Sequence, residues 1–164
     1  MGRFDDVQAP AFSTERASVV KPTPPPRVHA EQGAALRAVI ATVHEAHAHR
    51  PSRPFRGKEF RDAVRHRLQV AGWICRTRVK VESRGTPDGY RGVLDLVAHP
   101  PPQRGAPALP DPVLVEFDKV SIERKTIAKL ANYEGRTCGV LIVLARGSGE
   151  HGPIAGIDEI LTLG

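Results

Sequence analysis

Three carboxylates lie on two neighbouring apolar segments in the middle of the chain. Asp95 stands inside the run YRGVLDLVA, and Glu116 and Asp118 end the run VLVEFD twenty-one residues further on. An unpaired buried carboxylate is costly, and clustered carboxylates raise one another's pKa unless a cation lies among them. Carboxylate oxygens suit Mg²⁺ or Mn²⁺, which also accept phosphate oxygens as ligands. The spacing therefore predicts a divalent-cation site formed by these three residues.

Two helices are predicted ahead of the carboxylates. Apolar residues at helical spacing indicate a first helix from Ala30 to about His49, which Pro51 ends, and a second from about Lys58 to Ala71. Residues 1–27, which include KPTPPPR, favour an extended Pro-rich tail. We therefore expect a tail over 1–27 and a folded domain over 28–164.

The carboxylates themselves are predicted to lie on strands. Period-two alternation or continuous apolar character indicates strands over 73–82, 90–98, 112–118 and 138–144. In the first strand the alternation separates two sets: Trp73, Cys75, Val79 and Val81 on one side, and Arg76, Arg78, Lys80 and Glu82 on the other. A helix from Ile122 to about Glu134, capped by Ser121, would cross to the last strand. The order predicts an α/β domain with a mixed sheet, in which an antiparallel second and third strand bring Asp95 near Glu116.

This arrangement resembles the PD-(D/E)xK nuclease superfamily, whose fold is called restriction-endonuclease-like. There a helix precedes a three-stranded meander with Asp on the second strand and Glu-x-Lys on the third, and a helix and a strand follow. The likeness covers residues 54–144, with Asp95 and Glu116 on the motif positions. It implies an αβββαβ core behind an extra N-terminal helix, Mg²⁺ or Mn²⁺ as cofactor, and Glu59 as an auxiliary acidic residue.

The departure from that family lies at the lysine position, which Asp118 occupies. Lys125 and Lys129, one turn apart in SIERKTIAKL, offer amines on the following helix. The resemblance implies that one of them orients or deprotonates the attacking water, while metal-bound Asp95 and Glu116 stabilise the charge that develops on phosphorus. Of the two lysines, Lys125 is preferred and Lys129 is second.

A purely structural interpretation stays open for each of these residues. Asp95 could form an ion pair with Arg91 or Arg124, and Glu116 and Asp118 could lie at a solvated strand end. Glu59 could lie on a solvated helix face. A nuclease fold that has lost cleavage would also explain the acidic residue at the lysine position.

The distribution of charge points to a polyanionic partner. The chain carries 24 Lys and Arg against 18 Asp and Glu, a net charge of +6, and the stretch from Arg50 to Lys80 holds ten basic residues against two acidic ones, a local +8. Such stripes neutralise phosphates, and the low aromatic content of 5% favours duplex over single-stranded DNA. The residues expected to contact DNA are Arg61, Arg65, Arg76, Arg78, Lys80 and Arg91.

These observations predict a Mg²⁺-dependent deoxyribonuclease or a nuclease subunit. The alternative is a non-catalytic DNA-binding or assembly module on the same fold, tethered to a protein partner through its Pro-rich tail. The family resemblance also admits a homodimer that cuts both strands. Only Cys75 and Cys138 are present, which favours two buried thiols over a disulfide, and no apolar run is long enough to cross a membrane. We expect a cytoplasmic protein.

Overall fold

The computed structural model describes residues 30–49, 57–82, 91–147 and 151–164. The elements in chain order are α1 (Ala30–Ala48), α2 (Gly57–Val70), β1 (Ile74–Glu82), β2 (Arg91–His99), β3 (Val113–Asp118), α3 (Arg124–Ala131), β4 (Gly139–Leu144) and β5 (Glu159–Thr162). The predicted tail over 1–27 lies outside the described residues. The division of the chain at residue 28 and the core bounds 54–144 stay predictions.

The five strands form one mixed sheet in the order β1-β2-β3-β4-β5. β1, β2 and β3 are antiparallel neighbours, and β3, β4 and β5 run parallel. The predicted α/β class, the antiparallel pairing of β2 with β3 and the helical crossover between parallel strands are confirmed. β5 comes from the short apolar segment near the end of the chain and extends the sheet by one parallel strand.

Helices cover the two faces of the sheet. On the first, the α1/α2 face, Phe60, Val64 and Leu68 of α2 pack with Val39 and Val43 of α1 against the sheet. The second, the α3 face, buries Leu130 of α3 against a separate apolar cluster that includes Leu94, Leu114 and Ile142. β4 is buried along its whole length, as a central strand covered on both faces requires.

The side chains of β1 do not keep to one face, which corrects the predicted alternation. Trp73 and Cys75 pack on the α1/α2 face, whereas Val79 and Val81 pack on the α3 face. Alternation would place all four on one side. The change occurs around Arg78, which has a φ of +56°, a left-handed conformation that residues other than glycine seldom adopt. The basic residues Arg76 and Lys80 consequently belong to opposite faces and do not form one stripe.

The helix α3 is shorter than predicted and begins later. It runs from Arg124 to Ala131, and its N-cap position is Glu123, whose side chain makes no capping hydrogen bond. The predicted cap Ser121 lies two residues outside. Asp118, the last residue of β3, accepts a hydrogen bond from the Thr126 hydroxyl in the first turn of α3 and so ties that turn to the end of the strand.

The two cysteines are free thiols, Cys138 buried and Cys75 half-buried. Burial raises the pKa of each to about 11. No helix within the described ranges combines the length and the apolar character that crossing a membrane requires.

Candidate functional site

The sheet opens between β2 and β3 at Asp95 and Glu116. Backbone pairing joins residues 96–98 to residues 113–115 and then stops. Beyond it, the Asp95 N–H donates to Glu116 Oε1 at 2.9 Å, and the Phe117 N–H donates to Asp95 Oδ2 at 3.0 Å. Two carboxylates thus replace the backbone carbonyls that would continue the ladder. The predicted approach of Asp95 to Glu116 is present, and it is made by crossed side-chain-to-backbone bonds.

Lys129 reaches this opening from the α3 face. Its Nζ lies 2.5 Å from Glu116 Oε2 and also donates to the Val93 carbonyl at 3.2 Å. The aliphatic part of the side chain crosses β2 over Gly92, where an added Cβ would lie 2.9 Å from Lys129 Cδ and closer still to Cγ. Only glycine leaves that passage open, so Gly92 lets the ammonium group reach Glu116.

Arg61 approaches the same opening from the α1/α2 face. Its Nη1 lies 3.5 Å from Asp95 Oδ1, and its side chain is only 15% exposed. The neighbouring residue Phe60 is fully buried and packs edge-on against Phe117, with ring centroids 5.9 Å apart. Because the Phe117 N–H also binds Asp95, this aromatic contact fixes α2 beside the carboxylates.

The electrostatics of the site centre on Glu116, whose side chain is 1% exposed. Burial and then the negative charge of Asp95 raise the pKa of Glu116 to about 7, while Lys129 opposes the shift. A buried carboxylate held this way is unlike a solvated strand end, the structural interpretation offered above. Asp95 is contacted by Arg61, while Arg124 is exposed on the surface.

Asp118 does not join the pair. Its carboxylate accepts the Thr126 hydroxyl at 3.0 Å and 3.3 Å, and burial raises its pKa. Glu59 is exposed in the first turn of α2. Among the described residues, no three acidic, histidine or cysteine side chains come together as a metal site. The predicted grouping of three carboxylates is therefore not assembled, because the loop into α3 engages Asp118.

The two candidate lysines occupy different positions. Lys125 is 62% exposed and its Nζ lies 2.6 Å from Glu123 Oε2. Lys129, one turn later, is the lysine that contacts Glu116. The structure thus brings the second-ranked lysine to the carboxylates and turns the preferred one toward the surface.

The donor set that remains fits a hard divalent cation. Mg²⁺ in proteins is commonly held by one or two carboxylates, and water and phosphate oxygens complete its shell. Asp95 and Glu116 supply carboxylates on two neighbouring strands, and each of their oxygens keeps lone pairs beyond the one hydrogen bond that it accepts within the described residues. These two residues could hold Mg²⁺ or Mn²⁺.

The residues predicted to bind DNA are dispersed around the site. Arg61 lies beside Asp95, and Arg65 is partly exposed one turn further along α2. Arg76, Arg78 and Lys80 are exposed on β1, although Arg76 and Lys80 belong to opposite faces. Arg91 begins β2, and its side chain lies outside the described part of the structure.

Two residues of the site were missed by the sequence interpretation, Gly92 and Thr126. A glycine inside the strand run YRGVLD is a recognised sign of a close approach, so Gly92 could have been found. Thr126 carried no such signal.

Comparison of the chain with protein-family models, curated proteins and solved structures finds no match to any of them.

Proposed function

We propose that this protein is a metal-dependent DNA endonuclease, or the nuclease subunit of a larger system, that hydrolyses phosphodiester bonds. The convergence of Asp95, Glu116 and the Lys129 amine on one opening of the sheet carries the proposal. The antiparallel meander and the crossover through α3 to a parallel β4 support a restriction-endonuclease-like core for it.

Each residue of the opening has a role in the proposed reaction. Asp95 and Glu116 would hold Mg²⁺ or Mn²⁺, which supplies Lewis-acid stabilisation to the phosphate oxygens when bound. Lys129 uses two of its three N–H donors in hydrogen bonds to Glu116 Oε2 and the Val93 carbonyl. The third N–H can form a hydrogen bond to the attacking water, which orients the nucleophile, or to a phosphate oxygen, which offsets negative charge without transfer of the proton.

A non-catalytic DNA-binding or assembly module is the second candidate. The observation in its favour is Asp118, which holds the loop into α3 and leaves the usual lysine position without an amine. The basic residues around the opening would serve that module equally well. Either proposal is compatible with three further expectations. These are a protein partner for residues 1–27, which lie outside the described residues, a homodimer with a second copy of the chain, and a cytoplasmic location.

A cleavage assay on supercoiled and linear duplex DNA with Mg²⁺ or Mn²⁺ tests the proposal. Asp95→Asn, Glu116→Gln and Lys129→Met should each lower the rate by about 10²- to 10⁴-fold. The matched control is Lys125→Met, which removes an exposed lysine from the same helix and should leave the rate within about twofold.

The outcomes separate the two candidates. Cleavage that persists in Glu116→Gln and Lys129→Met would show that this opening is not the active site. A wild-type chain that binds duplex DNA tightly but cuts it with neither metal would favour the binding module.

A further inference from the structure

Two arginines of α2 share one carboxylate beside the candidate site. Arg61 Nε and Arg65 Nη2 each lie 3.8 Å from Asp62 Oδ1. Neither distance is a hydrogen bond, so Asp62 attracts both guanidinium groups without saturating either. Arg61 also faces Asp95, but at 3.5 Å, the outer limit of a hydrogen bond.

Both guanidinium groups hold donors that are shielded from water and unused. The Nε atoms of Arg61 and Arg65 are buried and have no hydrogen-bond partner among the residues that the structure describes. A buried charged donor without a partner costs more than an exposed one, because nothing replaces its lost hydration. A guanidinium group has five N–H donors in a rigid fork whose geometry matches phosphate. The Nε atoms are too deep for a phosphate to reach, so an incoming phosphate would meet the parts of the two side chains that remain exposed.

The two side chains differ in depth. Arg61 is 15% exposed and adjoins Asp95, whereas Arg65 is 37% exposed and lies one helical turn away, toward the outside. The pair thus leads from the surface of α2 to the carboxylate opening.

We propose that Arg61 and Arg65 bind two neighbouring phosphates of a nucleic-acid backbone, Arg61 the phosphate that enters the opening and Arg65 the next one. The inference rests on the proposed function for the identity of the inner phosphate. Within the predicted basic set, Arg61 would bind the phosphate that reacts, and Arg65 would raise the affinity for the nucleic acid.

Binding without cleavage gives the first measurement. A fluorescein-labelled duplex is titrated in EDTA by fluorescence anisotropy at several salt concentrations, with wild type, Arg61→Met and Arg65→Met. The slope of log K against log[salt] is negative, and each variant should make it less steep by about 0.9, because one phosphate contact is lost. Arg104→Met is the control, since Arg104 is exposed in the loop that joins the other ends of β2 and β3. It should leave the slope unchanged.

Cleavage kinetics give the second measurement. Arg61→Met should lower kcat by about 10²-fold, since it removes a donor to the reacting phosphate, and Arg65→Met should mainly raise KM. Arg61→Lys keeps the charge but loses the fork, so it should keep the salt slope and still lower kcat. Thermal melts of every variant establish that the fold is intact, and the lysine variant preserves the test if Arg61→Met does not fold.

The result that overturns the inference is an unchanged salt slope in both Arg61→Met and Arg65→Met. An unchanged slope in Arg61→Lys together with unchanged kcat would equally remove the inner role of Arg61. If the wild type never cuts DNA but both slopes fall, the phosphate pair stands and the nuclease proposal fails.

Discussion

The antiparallel pair β2–β3 has two halves that differ in residue type, in burial and in the hydrogen bonds that join the strands. In one half, residues 96–98 and 113–115 are apolar, almost fully buried and joined by a regular backbone ladder. In the other, Asp95, Glu116 and Phe117 are joined by bonds between carboxylates and backbone N–H groups. The first half contributes to the core, and the second holds the two carboxylates of the candidate site.

The difference follows from register. Continued regularly, the ladder that pairs Leu96 with Val115 would set Asp95 directly opposite Glu116, and like charges in that position are destabilising. The open half, which contains Asp95, Glu116 and Phe117, avoids this because each of its two carboxylates has a backbone N–H donor and a cation. Like β1 at Arg78, β2 changes face at Asp95, since Leu94 packs on the α3 face and Leu96 on the α1/α2 face. One cation comes from each side: Arg61 from α2 and Lys129 from α3. An irregular sheet is thus what allows two helix layers to serve one site.

The largest difference in stability is expected between substitutions at two adjacent residues, Leu96 in the ladder half and Asp95 in the open half. Leu96→Ala empties a fully buried position in the ladder half and should lower the free energy of unfolding by about 2–5 kcal/mol. Asp95→Asn keeps an acceptor for the Phe117 N–H, and the repulsion from Glu116 that it removes offsets the attraction lost at Arg61, so it should change stability by only about 1 kcal/mol. Urea denaturation measures both. A loss at Asp95→Asn as large as that at Leu96→Ala would mean that the open half is as structural as the ladder.

A smaller effect should appear in the pH dependence of stability. The pKa of Glu116 is raised from 4.5 to about 7 in the folded chain, so the folded state binds the proton more tightly. Its contribution to stability is therefore complete below pH 4.5 and is lost as pH rises through about 7, a change of roughly 3 kcal/mol. The ladder half has no ionisable side chain and should contribute nothing in that range.

The measurement is the difference between wild type and Glu116→Gln in urea denaturation from pH 5 to 8. Gln keeps one of the two acceptor oxygens and does not titrate, so any cost of losing the other acceptor is independent of pH and the variant should gain on the wild type as pH rises. Parallel curves for the two proteins would contradict a raised pKa at Glu116, because other groups titrate equally in both.

The regular half was the half that periodicity could predict. Apolar alternation in β3 and the continuous apolar run of β4 place each strand within a residue of its observed bounds. The change of face in β1 could not be predicted, because Arg78 carries no local sign of a left-handed backbone. Alternation was extended through it, and the basic side chains of β1 were assigned to one stripe.

The open half was predictable in its acids and less so in its amine. A carboxylate inside an apolar strand is conspicuous, so Asp95 and Glu116 could be found from residue type alone. Periodicity put Lys125 and Lys129 on the same side of α3 and could not say which turn lies abreast of Glu116. That choice depends on Gly92, where the missing side chain gives Lys129 its route across β2.

The smallest effect is expected from a substitution that blocks the route of Lys129 across β2. It tests whether the open half depends on that route. Gly92→Ala places a methyl group against the Lys129 stem, so the ammonium must withdraw from Glu116 or β2 must shift; the expected cost is about 1 kcal/mol. Gly57→Ala is the matched control, because no atom of the described residues lies within 4 Å of its added Cβ at the start of α2. It should be neutral or stabilising by a few tenths of a kcal/mol, since Ala favours helix.

Thermal melts and cleavage rates of the two glycine variants should then diverge. If Lys129 is held where it acts, Gly92→Ala should lose cleavage out of proportion to its small loss of stability, while Gly57→Ala keeps both. Equal behaviour of the two variants would mean that Lys129 reaches Glu116 by another path, and the open half would then depend on its carboxylates alone.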